Sequence, residues 1–252
     1  MFYKKKKKLN FIVVIPARYK STRLEGKPLL NLSGVPMIIR TYRQCLKAVS
    51  SRLIYIATDN NLVRKACLNE GAQVIMTSSK CLTGTDRVAE VSRKIDAKNY
   101  INVQGDEPVF NPKDLEKLIK EIKKNHNKVI MGYCEIDSKK AFKDPNIPKV
   151  VINNKEQLLY ISRAPIPSNK QNKFKKGWRQ VCAYAFPKKS LKIFSSSKRK
   201  TKLESIEDLE ILRFLELGEQ VKAIKMSRMS LAVDTAKDIV LAEDRIRKLS
   251  LN

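Results

Sequence analysis

Short apolar runs and longer periodic segments alternate through the first hundred residues. Residues 11–15 form an unbroken run of β-branched and aromatic residues, the pattern of a strand covered on both faces. Apolar positions then recur at helical spacing over 37–48, and a strand pattern returns over 53–58. The exchange continues with a helix over 61–70, a strand over 73–76, a helix over 85–95 and a strand over 100–103. That order predicts a doubly wound, mixed but mostly parallel α/β sheet. Asp59 with Asn60 marks the start of the second helix, and Gly71 its stop. Sheets of this kind bind ligands beyond the carboxyl ends of their strands. Three strand-following corners therefore become candidates: the loop after residue 15, residues 57–59 and residues 104–108.

The second half is less regular. Strand patterns cover 149–152, 158–162, 179–186 and 221–225, with a polar, basic loop over 167–177. An amphipathic helix is expected over 203–217 and a closing helix over 236–249.

The chain has 252 residues, 52 basic and 25 acidic, for a formal charge of +27. Such a charge raises nucleic-acid binding as an alternative. The lysines are spread over nearly every segment, however, and no RNA- or DNA-binding motif accompanies them. The denser tracts 4–8, 170–176 and 188–202 read as a tail and two solvated loops. No apolar stretch of signal-peptide or membrane-spanning length is present, so a cytoplasmic protein is expected. The five cysteines lack paired spacing, which argues against a zinc site or a disulfide framework. His126, the one histidine, falls in a polar stretch after a helix and is expected at the surface.

Candidate chemistry concentrates in the loop after Pro16 and Ala17. Arg18, Lys20, Arg23 and Lys27 follow within ten residues, with Ser21, Thr22 and Gly26 among them. Guanidinium forks, hydroxyls and a permissive backbone make a lining for phosphates. The glycine and lysine spacing is not that of a P-loop. Asp106 follows the strand over 100–103, where it can cap a turn or hold a divalent cation. Asp234 precedes a helix start, where it is either a cap or a second carboxylate for the same ion.

Five segments together resemble the 3-deoxy-manno-octulosonate (Kdo) cytidylyltransferases: PARYKSTRLEGKP from Pro16, TGTDRVAE from Thr83, NVQGDEP from Asn102, SRAPIP from Ser162 and VDT from Val233. The resemblance implies a nucleotide-diphospho-sugar transferase fold and magnesium-dependent transfer of CMP from CTP to a 2-keto-3-deoxy sugar acid. It implies a basic tail over 1–10 and one domain over 11–252. Within that domain, a nucleotide-binding half covers about 11–145 and an acceptor-binding, dimer-forming part about 146–230. Pro16, Ala17, Arg18, Ser21, Arg23, Lys27, Thr85, Arg87 and Gln104 would line the nucleotide, and Asp106 and Asp234 would hold magnesium. Arg18, Lys27 and the two aspartates would carry catalysis.

Gln104, Arg163, Gln180, Tyr184, Glu210 and Ile211 fall at the acceptor positions. Here the chain departs from the family pattern. Gln180 stands where the family has histidine, Cys182 where it has glycine and Ile211 where it has glutamine; Glu25 replaces a proline. A pocket built to hydrogen-bond hydroxyls discriminates strongly when a partner changes. The acceptor expected is Kdo or a close relative, and the changes bring in its 8-amino form. The alternatives are a sialic-acid-type acceptor or a nonenzymatic polyanion-binding protein. A homodimer is the assembly the resemblance implies.

Overall fold

The computed structural model describes residues 9–20 and 24–251. In chain order the elements are β1 (Leu9–Ala17), β2 (Asn31–Leu32), β3 (Val35–Pro36), α1 (Met37–Leu46), β4 (Ile54–Thr58), α2 (Asn61–Asn69), β5 (Gln73–Met76) and α3 (Gly84–Lys94). They continue with β6 (Ala97–Val103), α4 (Pro112–Lys124), β7 (Val129–Glu135), α5 (Lys139–Lys143), β8 (Lys149–Ile152), β9 (Leu158–Ser162), β10 (Trp178–Pro187) and α6 (Lys188–Phe194). The last are α7 (Lys202–Glu207), α8 (Ile211–Glu216), β11 (Val221–Lys225) and α9 (Ala236–Lys248).

The central sheet runs β11-β7-β10-β6-β1-β4-β5, with the β8–β9 hairpin branching from β10. β4, β5 and β6 run parallel to β1, whereas β10 is antiparallel to both β6 and β7. The strand period sends successive side chains of β1 to opposite faces. Val13 and Ile15 join a core with α1, α2 and α4, while Ile12 and Val14 join a second core with α3, α6 and α8. The run over 11–15 is continuous in apolar character because both faces are covered. β10 comes from the second half of the sequence yet lies between β6 and β7, so the two halves share one sheet.

Helix starts follow the expected chemistry. Asn60 accepts from Leu62 N–H and Val63 N–H and caps α2, leaving Asp59 for another partner. Gly71 has φ of 76°, the left-handed stop after α2.

Two expectations are corrected. The helix expected over 203–217 is two helices, broken where Asp208 takes a left-handed φ of 52°. The reason is long-range: the Glu216 carboxylate accepts from Leu203 N–H at 2.9 Å and Glu204 N–H at 3.1 Å. One straight helix would hold these residues about 20 Å apart. The tract 188–202 is also not wholly a solvated loop. Its first seven residues form α6, which buries Ser190, Leu191 and Phe194 beneath exposed lysines. His126 is exposed, as expected. Among the described residues no helix is long and apolar enough to cross a membrane.

Candidate active site

β1, β4 and β6 end at the same edge of the sheet, with Ala17 opposite Thr58 and Val14 opposite Asn102. Because β10 runs the other way, the residues before Ala183, which pairs with Val103, reach that edge too. A cavity of about 480 Å³ opens there, in the size range of small-ligand sites. Pro16, Ala17 and Arg18 line it from β1, Gln104 to Asp106 from the loop after β6, and Gln180, Cys182 and Tyr184 from β10. Gly105 has to be glycine, since a Cβ there would sit 2.7 Å from the Pro16 carbonyl oxygen. Its absence lets the β6 corner close against β1.

Lys27 occupies the centre. Its Nζ donates to Asp106 Oδ2 at 2.7 Å and to Asp234 Oδ1 at 3.0 Å. Burial lowers the ammonium pKa, but the two carboxylates outweigh burial and raise it, so Lys27 is held charged. Asp234 is not the helix cap: Thr235 caps α9 in a capping box with Asp238. That removes the cap from the two roles open to Asp234, whose side chain meets Lys27 at the cavity. Among the described residues no group of three or more His, Cys, Asp or Glu could hold a metal ion. A cation at Asp106 and Asp234 would therefore complete its shell from ligand oxygens and water, which suits magnesium. Arg18 is exposed at the cavity wall, and Ser21 and Arg23 lie outside the described residues.

The flanking wall is a network of buried polar groups. Glu210, just before α8, accepts from Thr85 N–H at 2.9 Å and from Gln104 Nε2 at 3.0 Å. Burial pushes its carboxyl pKa up, against the pull of the Thr85 N–H. Thr85 is fully buried, so it reaches the cavity only through Glu210. Arg87 is also buried rather than a free surface cation. Its guanidinium donates to Asp59 Oδ2 at 3.0 Å and to the Thr77 hydroxyl, with only its edge at the cavity. Gln180 Nε2 donates to the Tyr184 hydroxyl at 2.8 Å. Arg163 lies at the rim and donates to the carbonyls of Pro145, Glu207 and Asp208, bracing the corner between α7 and α8.

Ile211 does not belong to the site. It is buried in the core under α8 and lines no part of the cavity. The isoleucine exchange thus alters packing, and the changed wall consists of Gln180 and Cys182. Cys182 sits where β10 slips its register against β7, between Val181 and Tyr184. Irregularities of this kind re-aim side chains beside sites.

Sequence patterns missed Lys200 and Asp208, which pair with each other at the cavity mouth. Lys200 was hidden in a lysine tract, and Asp208 in the expected helix. Glu107 was passed over as well. It is 2% exposed and accepts a hydrogen bond from the Ser230 hydroxyl. Burial pushes its carboxyl up to about 7, against the lowering effect of Ser230.

The Glu107 shift has a consequence for stability. The folded chain holds this proton more tightly than the unfolded chain, so the contribution falls as pH rises from about 4.5 to about 7. Over that window the loss is about 3 kcal/mol. Urea unfolding without divalent cations checks it: Glu107→Gln should flatten this part of the pH profile, and an unchanged slope would refute the assignment.

A family model described as cytidylyltransferase matches residues 12–224. The 3-deoxy-manno-octulosonate cytidylyltransferase of Escherichia coli is 35% identical over 89% of this chain and 91% of its own length. The chain belongs to the 3-deoxy-manno-octulosonate cytidylyltransferase family. It is a nucleotidyltransferase with the nucleotide-diphospho-sugar transferase fold. Family members with another named acceptor are as similar. The 8-amino-3,8-dideoxy-manno-octulosonate cytidylyltransferase of Shewanella oneidensis is 34% identical over 94% of this chain and 99% of its own length. Among solved structures, a CMP:2-keto-3-deoxy-manno-octonic acid synthetase complexed with CTP superposes with a TM-score of 0.85 at 33% identity. That match covers 96% of this chain and 99% of the other.

Proposed function

We propose that this enzyme transfers CMP from CTP to the anomeric hydroxyl of Kdo or its 8-amino relative and releases pyrophosphate. The observation that carries the proposal is the Asp106–Lys27–Asp234 cluster at the carboxyl edge of the sheet. The names of the relatives at 34–35% identity support the chemistry assigned to it.

In this reaction the anomeric oxygen bonds to the α-phosphorus, the bond from that phosphorus to pyrophosphate breaks, and the hydroxyl proton is released. Arg18, Arg23 and Lys27 neutralise the triphosphate and the charge that develops on the leaving group, and the Ser21 hydroxyl donates to a phosphate oxygen. Pro16 and Ala17 bring the end of β1 against the nucleotide. Arg87, paired with Asp59, braces the neighbouring wall. Asp106 and Asp234 would hold magnesium, which supplies charge neutralisation at phosphate and eases loss of the hydroxyl proton. Gln104, Glu210, Gln180 and Tyr184 offer donors and acceptors to the sugar hydroxyls, and Arg163 braces the rim beside them. A homodimer is the proposed assembly.

The Gln180 and Cys182 wall favours an acceptor altered from Kdo, such as the 8-amino sugar. Pyrophosphate release with CTP and magnesium, run against Kdo, 8-amino-Kdo and a nonulosonic acid, tests the assignment. Turnover is expected with at least one octulosonate and, at best, weakly with the nonulosonic acid. A folded protein silent with both octulosonates, or as active on the nonulosonic acid, would refute it.

A further inference from the structure

Asp234 comes from a stretch between β11 and α9 that has no regular secondary structure, while Asp106 stands on the tight corner after β6. A shared cation site needs the two carboxylates held at a fixed separation, and sheet or helix geometry does not supply it. Several side-chain contacts tie the irregular stretch down. Asp114 accepts from Ser227 N–H at 3.0 Å, Arg245 donates to the Met229 carbonyl at 2.7 Å, Arg179 donates to the Ser230 carbonyl at 2.9 Å, and the Ser230 hydroxyl donates to Glu107. Only the last joins the stretch to the residue next to Asp106. A backbone bond from Val233 N–H to the Asp106 carbonyl, at 3.0 Å, lies alongside it.

Besides Ser230, the Glu107 carboxyl meets the Cys182 backbone N–H of β10 and lies near Arg179. It does not line the cavity, so it touches neither nucleotide nor acceptor there. Ser230 is fully buried, four residues before Asp234. A buried carboxyl group is costly unless hydrogen-bonded, and here the bond is made across the two segments that carry the site.

We propose that the Glu107–Ser230 contact is an internal hook that fixes Asp234 opposite Asp106, making both residues positioning residues for the cation site. This rests on the proposal that Asp106 and Asp234 hold the cation. Partners behind a ligand typically change metal affinity 10- to 100-fold when removed. Ser230→Ala frees the stretch at that point while leaving every cavity-lining side chain in place. Glu107→Asp draws the carboxyl group back from Ser230 by one methylene and keeps its chemistry.

Mn2+ titrated into the full-length protein, followed by loss of its free EPR signal, tests the hook. Both variants should bind Mn2+ roughly tenfold more weakly than the unaltered protein. Ser190→Ala removes a comparable buried serine–carboxylate bond, to Glu219, away from the cavity, and should bind normally. In an Asp234→Asn background, Ser230→Ala should cause no further weakening. Normal Mn2+ binding by Ser230→Ala and Glu107→Asp, with binding by Asp234→Asn impaired, would overturn the hook alone. Further weakening in the Asp234→Asn background would also overturn it. Normal binding by Asp234→Asn would overturn the two-carboxylate site and the hook with it.

Discussion

Asp106→Asn is expected to lower kcat/KM for CMP transfer by roughly 10³-fold while leaving the fold intact. The substitution keeps size and most hydrogen-bonding capacity but removes one of the two charges that flank Lys27. Two losses then coincide. The proposed cation site would keep only one carboxylate, and the Lys27 ammonium loses its shorter partner, at 2.7 Å. Both effects fall on groups proposed to face the triphosphate, where charge in the transition state is greatest. Global stability should change little, because the Asp106 side chain is 28% exposed and water replaces its interactions. Steady-state kinetics beside thermal unfolding separates the two outcomes. A variant within tenfold of the unaltered rate would remove Asp106 from the chemistry.

The second large effect lies away from the reacting atoms. Arg213→Leu should destabilise the protein by about 3–5 kcal/mol, because it leaves buried carboxylates without their cation. The Arg213 side chain is fully buried, and its guanidinium bonds both oxygens of Glu204 at 2.6 Å and reaches Asp86 at 2.8 Å. It also stacks 3.9 Å from the centre of the Phe194 ring. Glu204 is itself fully buried, so the orphaned charge has no route to water. For a domain of this size the expected fall in Tm is roughly 10 °C. Replacing Glu204 by leucine as well should recover part of it, since a buried ion pair exchanged whole for apolar packing costs less than half a pair. A fall in Tm below about 2 °C for the single variant would show that the network is relaxed by solvent.

This network also explains what the sequence alone could convey. The strand over 11–15 and the alternating elements of the first half were legible because local apolar periodicity decides them. Residues 221–225 were legible for the same reason. The break between α7 and α8 was not legible, since it depends on Glu216 reaching back to the start of α7 and on Arg213 meeting Glu204 and Asp86. Those contacts are distant along the chain and leave no periodic trace. α6 was obscured differently, by lysines whose density masks the apolar positions Leu191 and Phe194.

The same division holds at the site. Arg18, Lys27, Asp106 and Asp234 could be picked out because they fall in a cationic loop after a strand, at a strand-following corner or before a helix, and Gln104 through the motif it shares with Asp106. Ile211 was misplaced, since a motif position gives the residue but not the direction of its side chain. Glu107 lies inside the same motif as Asp106, yet only the folded chain shows that it meets Ser230 instead of the cavity. Arg87 falls between these cases, being near the cavity but committed to Asp59.

The proposed reaction is nucleotidyl transfer through the α-phosphorus of CTP. It is tested most directly by 31P NMR of a reaction containing the protein, CTP, magnesium and an octulosonate acceptor. Loss of the three CTP resonances is expected, with matched growth of inorganic pyrophosphate and of one phosphodiester signal from the CMP-sugar. Formation of CDP or orthophosphate as the primary product, or CTP left intact by the folded protein with both Kdo and 8-amino-Kdo, would contradict it.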